Sequence, residues 1–195
     1  MSSFTLQAAS RTDKGKGASR RLRRLQDKIP AILYGDDKPA EMLSLVHKDI
    51  ARALESEAFY SSIITLTIDA TPVKVLLRDV QRHPVNPRIT HVDFQRVSGA
   101  RKIHMRVPLH FINEDSCIGV KQQGGVINHN LASIEVSCLA ADLPEYIEVD
   151  LAAVSVGTIL HISDLKLPNG VDSVELLHGT EHDLPVVAVH AVKGE

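Results

Sequence analysis

Hydrophobic and polar positions alternate along most of this chain, and a period of two is the signature of strands with one buried face. Phe4, Leu6 and Ala8 open the series, and PAILYG at residues 30–35 is a short apolar run ended by glycine. SSIITLTIDATPVKVLLRDV, residues 61–80, reads as two strands joined around Asp69 to Pro72, and ITHVDFQRV, residues 89–97, as another. Between these stretches the period changes. From Asp49 to Phe59, Ile50, Ala53, Leu54 and Ala58 fall at helical spacing, with Asp49 suited to a first helical turn. The first half is therefore expected to be strands with one or two helices, in a barrel or a strongly bent sheet.

After SGARK the alternation becomes unbroken. Ile103, Met105, Val107, Leu109 and Phe111 keep it for five positions, followed by Ile134, Val136 and Cys138, then Ile147, Val149 and Leu151, and finally LPVVAVHAV. QGG, DLPE and LPNG supply turns, because glycine permits positive φ and proline fixes φ. No helix is read beyond Ser98. The expected fold class is mainly β with a few helices (α+β): an N-terminal β-barrel domain over residues 1–97 and a C-terminal all-β, two-sheet domain over residues 98–195.

Composition bounds the function. A chain of 195 residues, 44% hydrophobic and without a low-complexity tract, has the make-up of a folded globular protein. No apolar run approaches the roughly 18 residues of a membrane span. The N-terminus lacks the apolar core of a secretory signal. Cys117 and Cys138 show no metal-site or disulfide-framework spacing, so a reducing cytoplasm fits best.

Charge changes the picture more. The formal net charge is only −2, but residues 1–98 hold 16 Lys and Arg against 11 Asp and Glu, whereas the remainder holds 6 against 13. Such asymmetry points to a polyanionic partner for one half. The basic excess is concentrated in Arg11 to Arg24, with seven cations and one acid, and GKGASRRLRR puts five cations into ten residues. Gly15 and Gly17 disfavour a helix up to that point; from Ser19 onward the stretch is helix-compatible, with Leu22 and Leu25 at i,i+3. A solvated helix face is the plain alternative, but closely packed like charges repel one another and a polyanion would neutralise them. GKGAS lacks the spacing of a phosphate-binding P-loop. A Ser- and Arg-rich transit peptide competes, although the glycines interrupt any amphipathic helix and FTLQA looks like part of a fold.

Four stretches, GKGASRRLRR, PAILYG, QRHP (81–84) and HVDF (91–94), occur in the order and separation found in the Ctc, or L-twenty-five, family of bacterial ribosomal proteins, which the chain closely resembles. GVKQQGGVINHN, PEYIEVDL and HISDLKLPNGV resemble the second domain of its longer members. The resemblance implies an N-terminal β-barrel docked on the loop E region of 5S rRNA in the large ribosomal subunit, followed by a β-rich domain. It places Arg11, Lys16, Ser19, Arg20 and Arg21 on the RNA, with Lys14, Arg23 and Arg24 as weaker phosphate contacts or bystanders, and moves Tyr34 to the binding face. Many longer relatives carry an acidic C-terminal tail that this chain lacks, so functions of that tail are not carried over.

The residues themselves fit such a partner. A-form RNA is recognised through shape, phosphates and local irregularities, and a guanidinium fork can chelate a phosphate or a guanine edge. Strand alternation sends His91 and Asp93 to one face and Val92 and Phe94 to the core. Asp93 can accept from an exocyclic amino group or orient an arginine, a structural salt bridge being the alternative. Gln81 and His83, before Pro84, are further RNA-binding candidates or a solvated polar turn. Ten histidines invite a metal hypothesis, yet His178 and His182 in HGTEHD flank a glycine in a β context. No cofactor, metal, small-molecule substrate or membrane is expected, and no nucleophile or acid–base constellation supports catalysis.

Overall fold

The computed structural model describes residues 4–99 and 101–191, which fall into two compact units, Met1–Arg101 and Lys102–Glu195. In the first unit six strands close into a barrel: β1 (Phe4–Ser10), β2 (Lys28–Gly35), β3 (Lys38–Val46), β4 (Ile64–Ile68), β5 (Thr71–Arg82) and β6 (Ile89–Arg96). Their order is β1-β3-β2-β6-β5-β4, and the parallel pairing of β1 with β4 completes the ring. Closure removes the free edges that an open sheet would expose. Ile29, Leu33, Leu43, Leu66, Val92 and Phe94 point inward and are fully buried. The alternation read in HVDF is realised, with His91 and Asp93 half-buried and Val92 and Phe94 buried.

Two tight hairpins set the register. Asp36 and Asp37 between β2 and β3, and Asp69 and Ala70 between β4 and β5, all have positive φ, as a two-residue type I′ turn requires. The second turn is thus shorter than the Asp69 to Pro72 read from sequence, and Pro72 already pairs with Thr67. The helix expected from Asp49 to Phe59 is divided. It forms as His47–Ala53 with Asp49 in its first turn, and a separate 3-10 turn, Glu57–Phe59, delivers Phe59 to the core. Phe59 is fully buried and meets Phe4 edge to face at 5.3 Å, so the gain from burying the ring outweighs helix continuity.

The second unit holds two sheets, one of β7 (Ile103–Ile112), β9 (Ser133–Cys138), β10 (Ile147–Asp150) and β12 (Val171–Ser173), the other of β8 (Gly125–His129), β11 (Ile159–His161) and β13 (Pro185–Ala191). One expectation is corrected: two single-turn helices, Ile118–Lys121 and Val174–Leu177, lie among the strands. Four residues span barely one turn, too few to impose a helical period on the sequence. Cys117 and Cys138 are buried free thiols, and burial pushes the Cys138 thiol up from its ordinary range. Gly125, read as part of a turn, instead starts β8. A β-carbon there would lie 2.6 Å from Val156 Cγ2, 2.9 Å from Gly119 O and 3.0 Å from His190 O. Two of these neighbours are backbone and cannot step aside, so Gly125→Ala is expected to cost about 2 kcal/mol. Urea unfolding of the full chain measures it; a loss under about 0.5 kcal/mol would show that the backbone yields freely.

Candidate nucleic-acid interface

The basic segment forms a helix, α1 (Lys16–Leu25), which lies along β2. It begins three residues before Ser19, because the Ser19 N–H donates to Gly15 O at 3.2 Å and closes the first turn around Gly17. Gly15 has φ of 92°, a backbone conformation that glycine adopts without strain. Ala18, Ser19, Leu22 and Arg23 are half-buried and make a stripe at helical spacing, whereas Leu25 is 78% exposed. The helix is therefore seated by Leu22 and small neighbours, without the Leu25 partner that the i,i+3 spacing suggested. Arg23 belongs to this seat, its Nη1 donating to Thr90 O at 3.0 Å. Lys16, Arg20, Arg21 and Arg24 are exposed, and among the described residues no ion pair or side-chain hydrogen bond engages them. The first turn carries no acid, so positive side chains add to the positive end of the helix dipole. The result is a cationic ridge that no ion pair among the described residues neutralises.

Beside that ridge, the outer faces of β2, β5 and β6 gather four of the candidates. Gln81 is registered opposite His91, Asp79 opposite Asp93, Ile32 beside Asp93 and Tyr34 beside Gln95. His91 Nδ1 and Asp93 Oδ1 are 2.7 Å apart, which fixes the ring and leaves Nε2 and the second carboxylate oxygen for other partners. The structural salt bridge and the recognition role are thus compatible: one oxygen serves each. Burial, then the nearby Asp93 carboxylate, raise the Tyr34 pKa, so its hydroxyl remains a proton donor across the physiological range. Two carboxylates directly opposite, Asp79 and Asp93, are unfavourable in a bare sheet. Neighbouring Arg78 is the local cation, its Nε donating to Gln95 Oε1 at 2.5 Å.

The other candidates fall in two places. His83 sits in the β5–β6 turn, where its Nδ1 accepts from the N–H groups of Val85 and Asn86 at 3.2 and 3.1 Å. That turn lies across a cleft from Arg20, Arg23 and Arg24, so residues about 60 positions apart in sequence line one wall-to-wall space. Arg11 and Lys14 stand apart. Arg11 continues from β1, with its N–H on Met42 O and its Nη1 on Asp13 O, and no hydrogen bond or ion pair among the described residues links it or Lys14 to either group. His178 and His182 meet edge to face at 6.0 Å. Sequence reading missed Asp79, whose signal was its two-residue spacing from Gln81, and Arg88, which follows the second proline of HPVNPR.

Comparison with known proteins accounts for both units. Residues 6–94 match the Ribosomal L25p family, and residues 102–193 match the C-terminal domain of ribosomal protein TL5. The large ribosomal subunit protein bL25 of Hahella chejuensis is 54% identical over 191 residues, covering 98% of this chain and 92% of that protein. The bL25 of Cellvibrio japonicus is 54% identical with 98% and 94% covered, and that of Alcanivorax borkumensis 55% identical with 97% and 89% covered. A closed barrel bearing a cationic ridge, a second two-sheet unit and identity sustained across both lead to one assignment: the chain belongs to the bL25 family of large-subunit ribosomal proteins.

Proposed function

We infer that this protein is a structural, non-enzymatic constituent of the large ribosomal subunit in the bacterial cytoplasm, and we propose that its barrel domain, residues 1–97, binds 5S rRNA at loop E. The observation that carries the reading is the unneutralised ridge of Lys16, Arg20, Arg21 and Arg24 beside a polar face of Tyr34, Gln81, His91 and Asp93. The ridge supplies phosphate contacts, which give affinity and position. The polar face supplies donors and acceptors in fixed orientation, which suit the base edges and 2′-hydroxyls of an irregular RNA helix. Ser19 at the base of the ridge and His83 in the β5–β6 turn are added to this contact, and Arg11 and Lys14 make a separate one. The acidic second domain, residues 98–195, carries no comparable ridge in its sequence and is assigned to other components of the subunit.

A filter-binding titration of the full chain against 5S rRNA and a tRNA control, across salt, tests the proposal. The expected outcome is a preference for 5S rRNA of at least tenfold at moderate salt; equal affinity for both RNAs would overturn it. Tyr34→Phe is expected to weaken 5S rRNA binding about fivefold, the worth of one hydroxyl hydrogen bond of about 1 kcal/mol. The same assay detects it, and no change would remove Tyr34 from the interface.

A further inference from the structure

Between α1 and the β5–β6 turn lies a cleft of about 320 Å³, lined by Arg20, Arg23, Arg24, Lys28 and Arg88, with Asp27 as its one acid. Ile29 and Ile89, both buried, form part of its lining. Among the described residues none of these five cations has an ion-pair partner, so four net positive charges converge on a space with an apolar base. His47 and His83, with Asn86 and Thr90, complete the lining. His47 accepts the Ile89 N–H at Nε2, at 3.4 Å, and His83 accepts the Val85 and Asn86 N–H groups at Nδ1. In each ring the other nitrogen then carries the proton and is free to donate.

We propose that this cleft is a binding pocket for closely spaced phosphates. Four guanidinium groups offer planar forks that grip phosphate oxygens in pairs, and a surface that concentrates cations without acids gains stability when an anion neutralises them. The volume is at the small end of ligand pockets, about 300 to 1,000 Å³, and suits a run of phosphate groups rather than a nucleic-acid helix. Two sources share that chemistry: a free oligophosphate, or successive phosphodiesters of a sharply bent RNA strand. In its RNA form the proposal rests on the interface described above; in its free-oligophosphate form it does not.

Calorimetric titration of the full chain with sodium tripolyphosphate at low salt tests it. One equivalent is expected to bind, and Arg24→Ala/Arg88→Ala is expected to weaken binding at least tenfold. Both side chains are exposed and make no hydrogen bond among the described residues, so the variant keeps the fold, which circular dichroism checks. Lys121→Ala/Lys166→Ala removes two exposed cations from the second unit and is expected to change affinity less than twofold. Equal losses in the two variants, or none in the first, overturn the proposal. A parallel 5S rRNA titration separates the sources: a tenfold loss for the pocket variant identifies RNA phosphates, and unchanged RNA affinity with lost tripolyphosphate binding identifies a free oligophosphate. If the wild type shows no preference for 5S rRNA but binds tripolyphosphate through Arg24 and Arg88, the RNA reading fails and the pocket stands.

Discussion

Replacing Arg20 and Arg21 together with alanine is expected to weaken 5S rRNA binding roughly 100-fold. Each is an exposed guanidinium in a helix without an acidic partner, so neither contributes an ion pair to the folded chain that its loss would break. A hydrogen bond to a charged group contributes about 1.5 to 3 kcal/mol, and two at the lower end give about 3 kcal/mol. The salt dependence separates this cause from an indirect one. Each lost phosphate contact lowers the slope of log affinity against log salt by about 0.7 to 0.9, so the double variant should flatten it by about 1.5. Arg23→Ala is the informative contrast, because that side chain is tied to Thr90 O. Its removal should loosen the seat of α1 more than it reduces the slope. A double variant with a full wild-type slope would take Arg20 and Arg21 off the RNA.

The parts of the fold that were legible in the sequence are those in which burial alternates residue by residue. β6 and β7 could be read because Val92 and Phe94, or Met105 and Val107, are buried between half-buried or exposed neighbours. β3 was not, since its first four residues, Lys38 to Glu41, are all exposed and only Leu43 to Leu45 are buried, in an unbroken run. β11 and β12 have three residues each, shorter than one readable repeat. The ridge of α1 was legible through charge density, which needs no partner to be recognised. The cleft was not, because it depends on a barrel register that sets Arg88 and His83 across from a helix some 60 residues earlier, and on the Arg23 bond that holds the helix there.

Arg96→Ala is expected to destabilise the barrel by about 3 kcal/mol, although the residue is a cation. It follows Val92 and Phe94 in the inward series of β6 and is only 6% exposed. Its guanidinium closes one end of the barrel: Nη1 donates to Gly35 O at 3.3 Å and Pro39 O at 3.2 Å, and Nη2 to Glu41 Oε1 at 2.6 Å. One side chain thus clasps both sides of the β2–β3 hairpin. Removing it takes a charged hydrogen bond from each of two carbonyls, together about 2 kcal/mol, and leaves a cavity where the buried side chain stood. The Glu41 side chain is 47% exposed and can return to water, so its part of the loss is small. Glu41→Gln should therefore cost only about 1 kcal/mol, and Arg96→Lys, which keeps the charge but loses the fork, about 2 kcal/mol. Hydrogen exchange of the barrel amides in the full chain reads these differences within the first unit alone. The effect extends to recognition, because Gly35 adjoins Tyr34: an unclasped hairpin lets that hydroxyl wander, and 5S rRNA affinity should fall with no change in salt slope. If Glu41→Gln cost as much as Arg96→Ala, the ion pair and not the carbonyl clasp would be what closes the barrel.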